Sequence, residues 1–214
     1  MTRPIQSKKR YIISFIIGTL VFLTVFLITY SISYFEFLRV SDYQQETAYE
    51  IFEKKLDYSL FNPNFCSKES FEEVSNALWF QGRIIDDLEK KLGKNNEKVL
   101  FKKKFYTLVE LEHFEFVEML KEKCDLNFNT ILFFYSNEKS LIEESEDLGR
   151  LLDIFYKRNP DTIIYSFDFN LNCELIDKLK QKYNIEKPLT LIINNKNKIV
   201  NPKNIEELEK YLKE

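Results

Sequence analysis

The sequence predicts an α/β domain of element order β-α-β-α-β-β-α, preceded by an α-helical hairpin and an N-terminal transmembrane helix. Three observations carry this. Residues 11–35 form an apolar run of 25 without a formal charge. Two amphipathic stretches flank Gly93. From residue 128 onward the apolar spacing changes from helical to short β-rich runs separated by helical segments. The implied divisions are a basic tail at 1–10, a transmembrane helix at 11–38, a helical hairpin region at 41–126 and a terminal domain at 127–214.

The uncharged run comes first. At 1.5 Å per residue, a helix over 11–35 extends roughly 37 Å, enough for a ~30 Å hydrocarbon core with some tilt. Arg3, Lys8, Lys9 and Arg10 precede it with no acid among them, while Glu36, Asp42, Glu46 and Glu50 follow. The positive-inside rule then places the N-terminus in the cytoplasm and the rest of the chain outside, as a signal-anchor in the cell membrane. A cleaved signal peptide is the competing reading, but its apolar core is shorter and ends at small residues, and no Ala-x-Ala occurs here. Ser14 and Gly18 have the small-xxx-small spacing that favours helix pairing, so a homodimer through this helix is a candidate partner state besides the lipid bilayer itself.

Residues 41–60 continue as a helix with Tyr49, Phe52, Leu56 and Leu60 on one side, stopped by Asn62-Pro63-Asn64. A second helix starts at Ser70, where Ser70 and Glu73 have capping-box spacing, and runs through Phe71, Val74, Leu78, Ile85, Leu88 and Leu92 to Gly93. After Lys94-Asn95-Asn96 a third helix reaches about Lys123, its apolar stripe being Phe105, Leu108, Val109, Phe116, Met119 and Leu120. Cys66 lies 27 residues before Gly93 and Cys124 lies 29 after Asn95, so both arrive at one end of the hairpin. Outside the cytoplasm a Cys66–Cys124 disulfide is therefore expected, against the alternative of two unrelated buried thiols.

Beyond residue 128, strands are expected at 128–135, 162–167, 189–193 and 198–200, with helices at 140–158, 173–183 and 204–212. Asn194-Asn195-Lys196-Asn197 reads as a hairpin turn. This order, with the segment KYNIEKPLTLIINNKNKIV leading into a final helix, resembles the thioredoxin-like superfamily over 128–214. The chain as a whole looks like membrane-bound thioredoxin-like proteins of prokaryotes, archaea included. The resemblance implies a site after the first strand and beside the proline that opens the third. The positions concerned are Glu138, Lys139 and Ser140, within Ser136-Asn137-Glu138-Lys139-Ser140-Leu141, and Pro188, which stands one residue early. No cysteine occupies the first of these, and thiol–disulfide exchange needs a thiolate attacker, so the site reads as degenerate.

Composition excludes much else. Four scattered glycines cannot build a phosphate-cradling loop, and one histidine cannot build a multi-His metal centre. With the four N-terminal bases set aside, 27 basic residues face 34 acidic ones, a balance that argues against nucleic-acid binding. Glu110 and His113 have the E-x-x-H spacing of di-iron bundles but no second copy, and His113 falls on the apolar stripe. Asp168-Phe-Asn170-Leu-Asn172 begins like a calcium loop but lacks its glycine and final glutamate. Cys173 opens a helix, a position that lowers a thiol pKa, and is the remaining redox candidate beside a bland buried thiol. No cofactor or metal is expected. The reading is a membrane-anchored extracytoplasmic protein whose redox-inactive thioredoxin-like domain serves as a protein-interaction or chaperone-like module, more a binder than an enzyme. The alternative is a thiol-disulfide oxidoreductase using Cys173 or the Cys66/Cys124 pair.

Overall fold

The computed structural model describes residues 8–60, 68–124, 126 and 128–212. The described elements are α1 (Lys8–Leu60), α2 (Lys68–Leu92), α3 (Glu97–Cys124), β1 (Asn129–Tyr135), α4 (Ile142–Arg158), β2 (Thr162–Asp168), α5 (Glu174–Lys182), β3 (Thr190–Ile193), β4 (Asn197–Val200) and α6 (Ile205–Glu209). The chain divides into two compact units, Met1–Gln45 and Glu46–Glu214, each taken by itself below.

In the first unit, α1 carries one stretch long and apolar enough to cross a membrane. Between Tyr11 and Phe35 its large apolar side chains are exposed, Phe15 at 76% and Phe22 at 69% among them. A helix apolar on every side has no polar face to give to water. Its threonine hydroxyls are satisfied within the helix: Thr19, Thr24 and Thr29 donate to the carbonyls of Phe15, Leu20 and Val25 at 2.9, 2.8 and 3.0 Å. Lipid requires this internal bonding, because hydrocarbon offers no partner.

In the second unit a four-stranded mixed sheet has the order β2-β1-β3-β4. β1 pairs in parallel with β2 from Asn129↔Thr162 to Tyr135↔Asp168, and β3 is antiparallel to both β1 and β4. Strand β1 is buried on both faces because helices cover both. One face packs Ile131, Phe133, Leu191 and Ile193 against Leu148, Leu152 and Phe155 of α4 and Leu208 of α6. The other packs Leu132, Phe134, Tyr165 and Phe167 against Ile176 and Leu179 of α5 and against the helical hairpin and α1, through Leu78, Val109, Phe114, Ala48 and Ile51. The turn between β3 and β4 uses Asn194 and Asn195 at φ 50° and 60°, the left-handed region that Asn tolerates.

This architecture overturns the thioredoxin-like expectation for 127–214. The molecule is mostly helical, and its small open sheet belongs to a unit that begins with a cluster of three helices rather than to a β-α-β-α-β-β-α module standing alone. The hairpin contributes Leu78, Val109 and Phe114 to one core face, so the sheet does not bury that face without it. The closing helix is only five residues long. No cis peptide bond occurs among the described residues, so Pro188 follows a trans bond. The strain falls on the next residue instead, Leu189, at φ 58°.

The helix faces also differ from expectation. On α1 the Tyr49, Phe52 and Leu56 stripe is exposed, at 66%, 50% and 54%. The buried face is Gln44, Thr47, Ala48 and Ile51, which mixes polar with small and branched residues and so escapes a hydrophobicity count. On α3, Leu108 is 46% exposed while Lys102, Lys103, Thr107, Glu110 and His113 are buried beside Val109. The side chains of Leu60, Ser70, Phe71, Glu73 and Val74 lie outside the described residues.

Candidate functional site

The densest polar cluster lies where β1 and β2 end side by side. In α/β sheets, ligands and catalytic groups gather outside the carboxyl ends of parallel strands, which makes this edge the natural place to look. Four elements contribute. Helix α3 sends in Lys103, α2 sends Glu89, β2 ends on Asp168 and the segment after β1 supplies Asn137. The Lys103 ammonium contacts Glu89 Oε1 at 2.8 Å and Asp168 Oδ2 more closely, with all three side chains 5–8% exposed. Asn137 Nδ2 donates to the same two carboxylates, at 3.3 Å to Glu89 and 3.1 Å to Asp168. The Tyr135 ring lies 5.2 Å from the ammonium. Burial opposes the charge on Lys103, but Tyr135, Asp168 and Glu89 outweigh it and hold the ammonium well above its ordinary range.

A second ring of bonds locks the strand ends outside this triad. Ser136 N–H donates to Ser145 Oγ at 3.1 Å, and Ser145 Oγ returns a bond to the Ser136 carbonyl at 2.8 Å. Ser136 Oγ donates to Asn170 Oδ1 at 2.7 Å, and Asn170 Nδ2 reaches Glu138 Oε1 at 2.8 Å. Asp168 Oδ1 accepts the Asn170 N–H at 3.0 Å, a local turn of the kind short polar side chains make after a strand.

The chemistry of this cluster is consumed internally. Both carboxylates are bonded by one lysine and one amide, and the Ser136 hydroxyl donates to an amide rather than to a base. Nucleophilic catalysis needs the opposite, a hydroxyl aimed at a base with a free acceptor. Removing one member of such a buried set leaves uncompensated charge, which costs on the order of 3–5 kcal/mol. The network therefore clamps α2 and α3 to the sheet edge.

His113 sits deeper on α3, fully buried, with Nδ1 2.8 Å from Tyr165 Oη and Nε2 3.0 Å from Ser75 Oγ. Burial pushes its pKa down to about 3, so the ring is neutral and bridges α2, α3 and β2. One turn earlier, Glu110 Oε1 accepts the Ser166 backbone N–H at 2.9 Å, while Oε2 is buried without a partner. Burial raises this carboxyl well above its ordinary value, against the smaller pull of the Ser166 bond and Lys103.

The residues singled out in the sequence are placed as follows. Glu138 is half of the Asn170 contact, Lys139 and Ser140 are exposed in the same segment, and Pro188 precedes β3. Cys173 is free and half-buried at the start of α5, where its side chain makes no capping bond. Cys66 lies outside the described residues, and the expected Cys66–Cys124 pairing with it; Cys124 ends α3 and is not a free thiol. Among the described residues no group of three His, Cys, Asp or Glu side chains is placed to hold a metal ion. Both functional readings tied to a thioredoxin-like domain, the redox-inactive binding module and the oxidoreductase, fall with the fold and with the absence of its active site.

Sequence reading missed Lys103, Glu89 and Asn137. The only signal was weak: Lys102 and Lys103 interrupt the face on which Phe105 and Val109 lie.

No protein-family model, no curated protein and no solved structure matches this chain. What the chain itself defines is a class: one long apolar N-terminal helix, consistent with a membrane-embedded segment, joined to a helix-rich α/β unit.

Proposed function

We propose that the protein is a single-pass membrane protein that carries its 46–214 unit on the extracytoplasmic side as a tethered, non-catalytic body, with its N-terminus in the cytoplasm. The observation that carries the orientation is the charge step across the span. Lys8, Lys9 and Arg10 stand immediately before the uncharged run, and the next charges after it begin with Glu36. The internally satisfied threonines support a lipid environment for the span, and the internally consumed polar cluster supports a body without catalysis. Ser14 and Gly18 extend the reading to a homodimer through the span, since the space beside Gly18 is open.

An epitope tag after Glu214 tests the orientation. Protease added to intact cells removes the tag if the unit is extracytoplasmic. A tag cut only after lysis reverses the assignment. A Ser14→Cys variant that crosslinks to itself under oxidation in membranes supports the homodimer; failure to crosslink there, with the tag result unchanged, removes the dimer alone.

A further inference from the structure

The two edges of the four-stranded sheet are finished differently. At β2, helix α3 packs alongside and Glu110 takes the Ser166 N–H at 2.9 Å. At β4, which closes the strand order, nothing among the described residues pairs with the outer edge. Asn201 N–H donates to the Leu189 carbonyl at 2.7 Å, and the register sets Leu191 opposite Ile199. In an antiparallel pair, alternate residues share their main-chain bonds with the neighbouring strand. Asn197 and Ile199 therefore turn their N–H and C=O groups toward β3, while Lys198 and Val200 turn theirs away from the sheet. The side chains of these two are exposed as well, Val200 at 54%.

This open edge is also basic. Lys196, Lys198 and Lys203 stand in a stretch without an acid, 194–204, inside a unit of 26 basic and 32 acidic residues. All three are exposed. Lys198 bonds the Asn184 carbonyl at 3.0 Å, and Lys203 bonds the Asn201 side-chain oxygen at 2.9 Å. Among the described residues none of the three ammonium groups pairs with a carboxylate, whereas those of Lys55, Lys94, Lys103, Lys121 and Lys180 do. The one carboxylate that bonds the 196–203 stretch, Glu144, is held by the Asn201 amide at 3.2 Å. Lysines on an edge strand disfavour pairing with an identical edge. The same charges favour an acidic strand, because opposite charges across a strand pair stabilise it and like charges do the reverse.

We propose that the outer edge of β4 binds an extended acidic segment of a partner protein by strand addition. The segment's backbone takes up the N–H and C=O groups of Lys198 and Val200, which supplies the main-chain part of the affinity. Run antiparallel, it sets an apolar residue across from Val200 and, two residues on, an acid across from Lys198. A further acid then reaches Lys196, and the side chains in between fall on the opposite face, beside Ile199. A second copy is the wrong occupant, since its edge carries the same three lysines. The surface goes beyond tethering and is the same whichever side of a membrane the unit occupies.

The test uses the full chain in phosphatidylcholine nanodiscs and the peptide acetyl-Ser-Val-Thr-Glu-Thr-Glu-Ser-amide. The same peptide with Lys in place of Glu is the control. A chain that stays outside the discs is assayed in buffer, so failure of the anchor leaves this result readable. Amide hydrogen exchange is followed by mass spectrometry at single-residue resolution. Exchange at positions 198 and 200 is expected to slow as the acidic peptide rises, by about tenfold at about ten times its dissociation constant. Ile199 and β1 stay unchanged, and the Lys peptide has no effect. Lys196→Glu/Lys198→Glu exchanges the preference between the two peptides. Val200→Pro removes an N–H that no ladder bond uses, so the sheet persists while the slowing at position 198 is lost. No slowing at the two positions, equal slowing by both peptides, or slowing spread over the lysines of the α2–α3 turn overturns the proposal. Slow exchange there before any peptide is added shows an edge already covered, and overturns it too.

Discussion

The Glu110 carboxyl of α3 bonds the backbone N–H of Ser166, which lies in β2, an edge strand of the sheet. An edge strand presents unpaired donors, and covering one with a helix is a common way to protect it. Here a side chain completes the cover. Glu110→Gln keeps an acceptor for Ser166 and is expected to change stability little. Glu110→Ala leaves that donor unpaired and is expected to cost about 1–3 kcal/mol in a urea unfolding series.

Glu110 and His113 give stability an opposed dependence on pH. The raised carboxyl binds its proton more tightly in the folded state, so above about pH 4.5 its contribution falls as pH rises. The imidazole, pushed down to about 3, binds its proton more tightly in the unfolded state, so its contribution falls as pH drops from about 6.5. Stability measured by urea titration is expected to carry a component that declines toward alkaline pH from Glu110 and one that declines toward acid pH from His113. Glu110→Gln removes the decline on the alkaline side; a decline that persists unchanged in this variant assigns it elsewhere.

Lys103 bridges two buried carboxylates at once. Lys103→Met leaves Glu89 and Asp168 facing each other with no cation between them, and a loss of about 3–5 kcal/mol is expected. Adding Glu89→Gln and Asp168→Asn to that variant recovers part of the loss. Thermal unfolding of the single and triple variants reads both outcomes.

Gly82 sits where a Cβ would come within 2.7 Å of Tyr106 Oη, which bonds the Leu78 carbonyl at 3.3 Å. Gly82→Ala displaces that hydroxyl and is expected to destabilise by about 1–2 kcal/mol despite alanine's better helix propensity. In a Tyr106→Phe background the penalty shrinks. An undiminished penalty there assigns it to something other than the hydroxyl contact.

The sequence made some of this visible and hid the rest for physical reasons. The long apolar N-terminal helix was legible because 25 consecutive residues carry no formal charge, and the turn at Gly93 because its φ of 92° suits glycine. β1 was legible because burial on both faces demands an unbroken apolar run, which FNTILFFY provides. The exposed Tyr49–Phe52–Leu56 stripe misled, because periodicity reports an amphipathic face and not which side of it is covered. The Lys103 cluster was illegible, since Glu89, Lys103, Asn137 and Asp168 meet only after four separate segments have packed. The thioredoxin-like resemblance rested on local segments of 128–214 and carried no information about the three helices that share the core.

The central claim is that the apolar part of α1 holds this protein in a membrane. Alkaline carbonate extraction of membranes carrying the full chain tests it most directly, since the wash strips peripheral proteins and leaves bilayer-spanning ones. The account predicts that the chain stays in the membrane pellet at its full mass. Release into the supernatant, or recovery only of a shorter chain lacking residues 11–35, would contradict it.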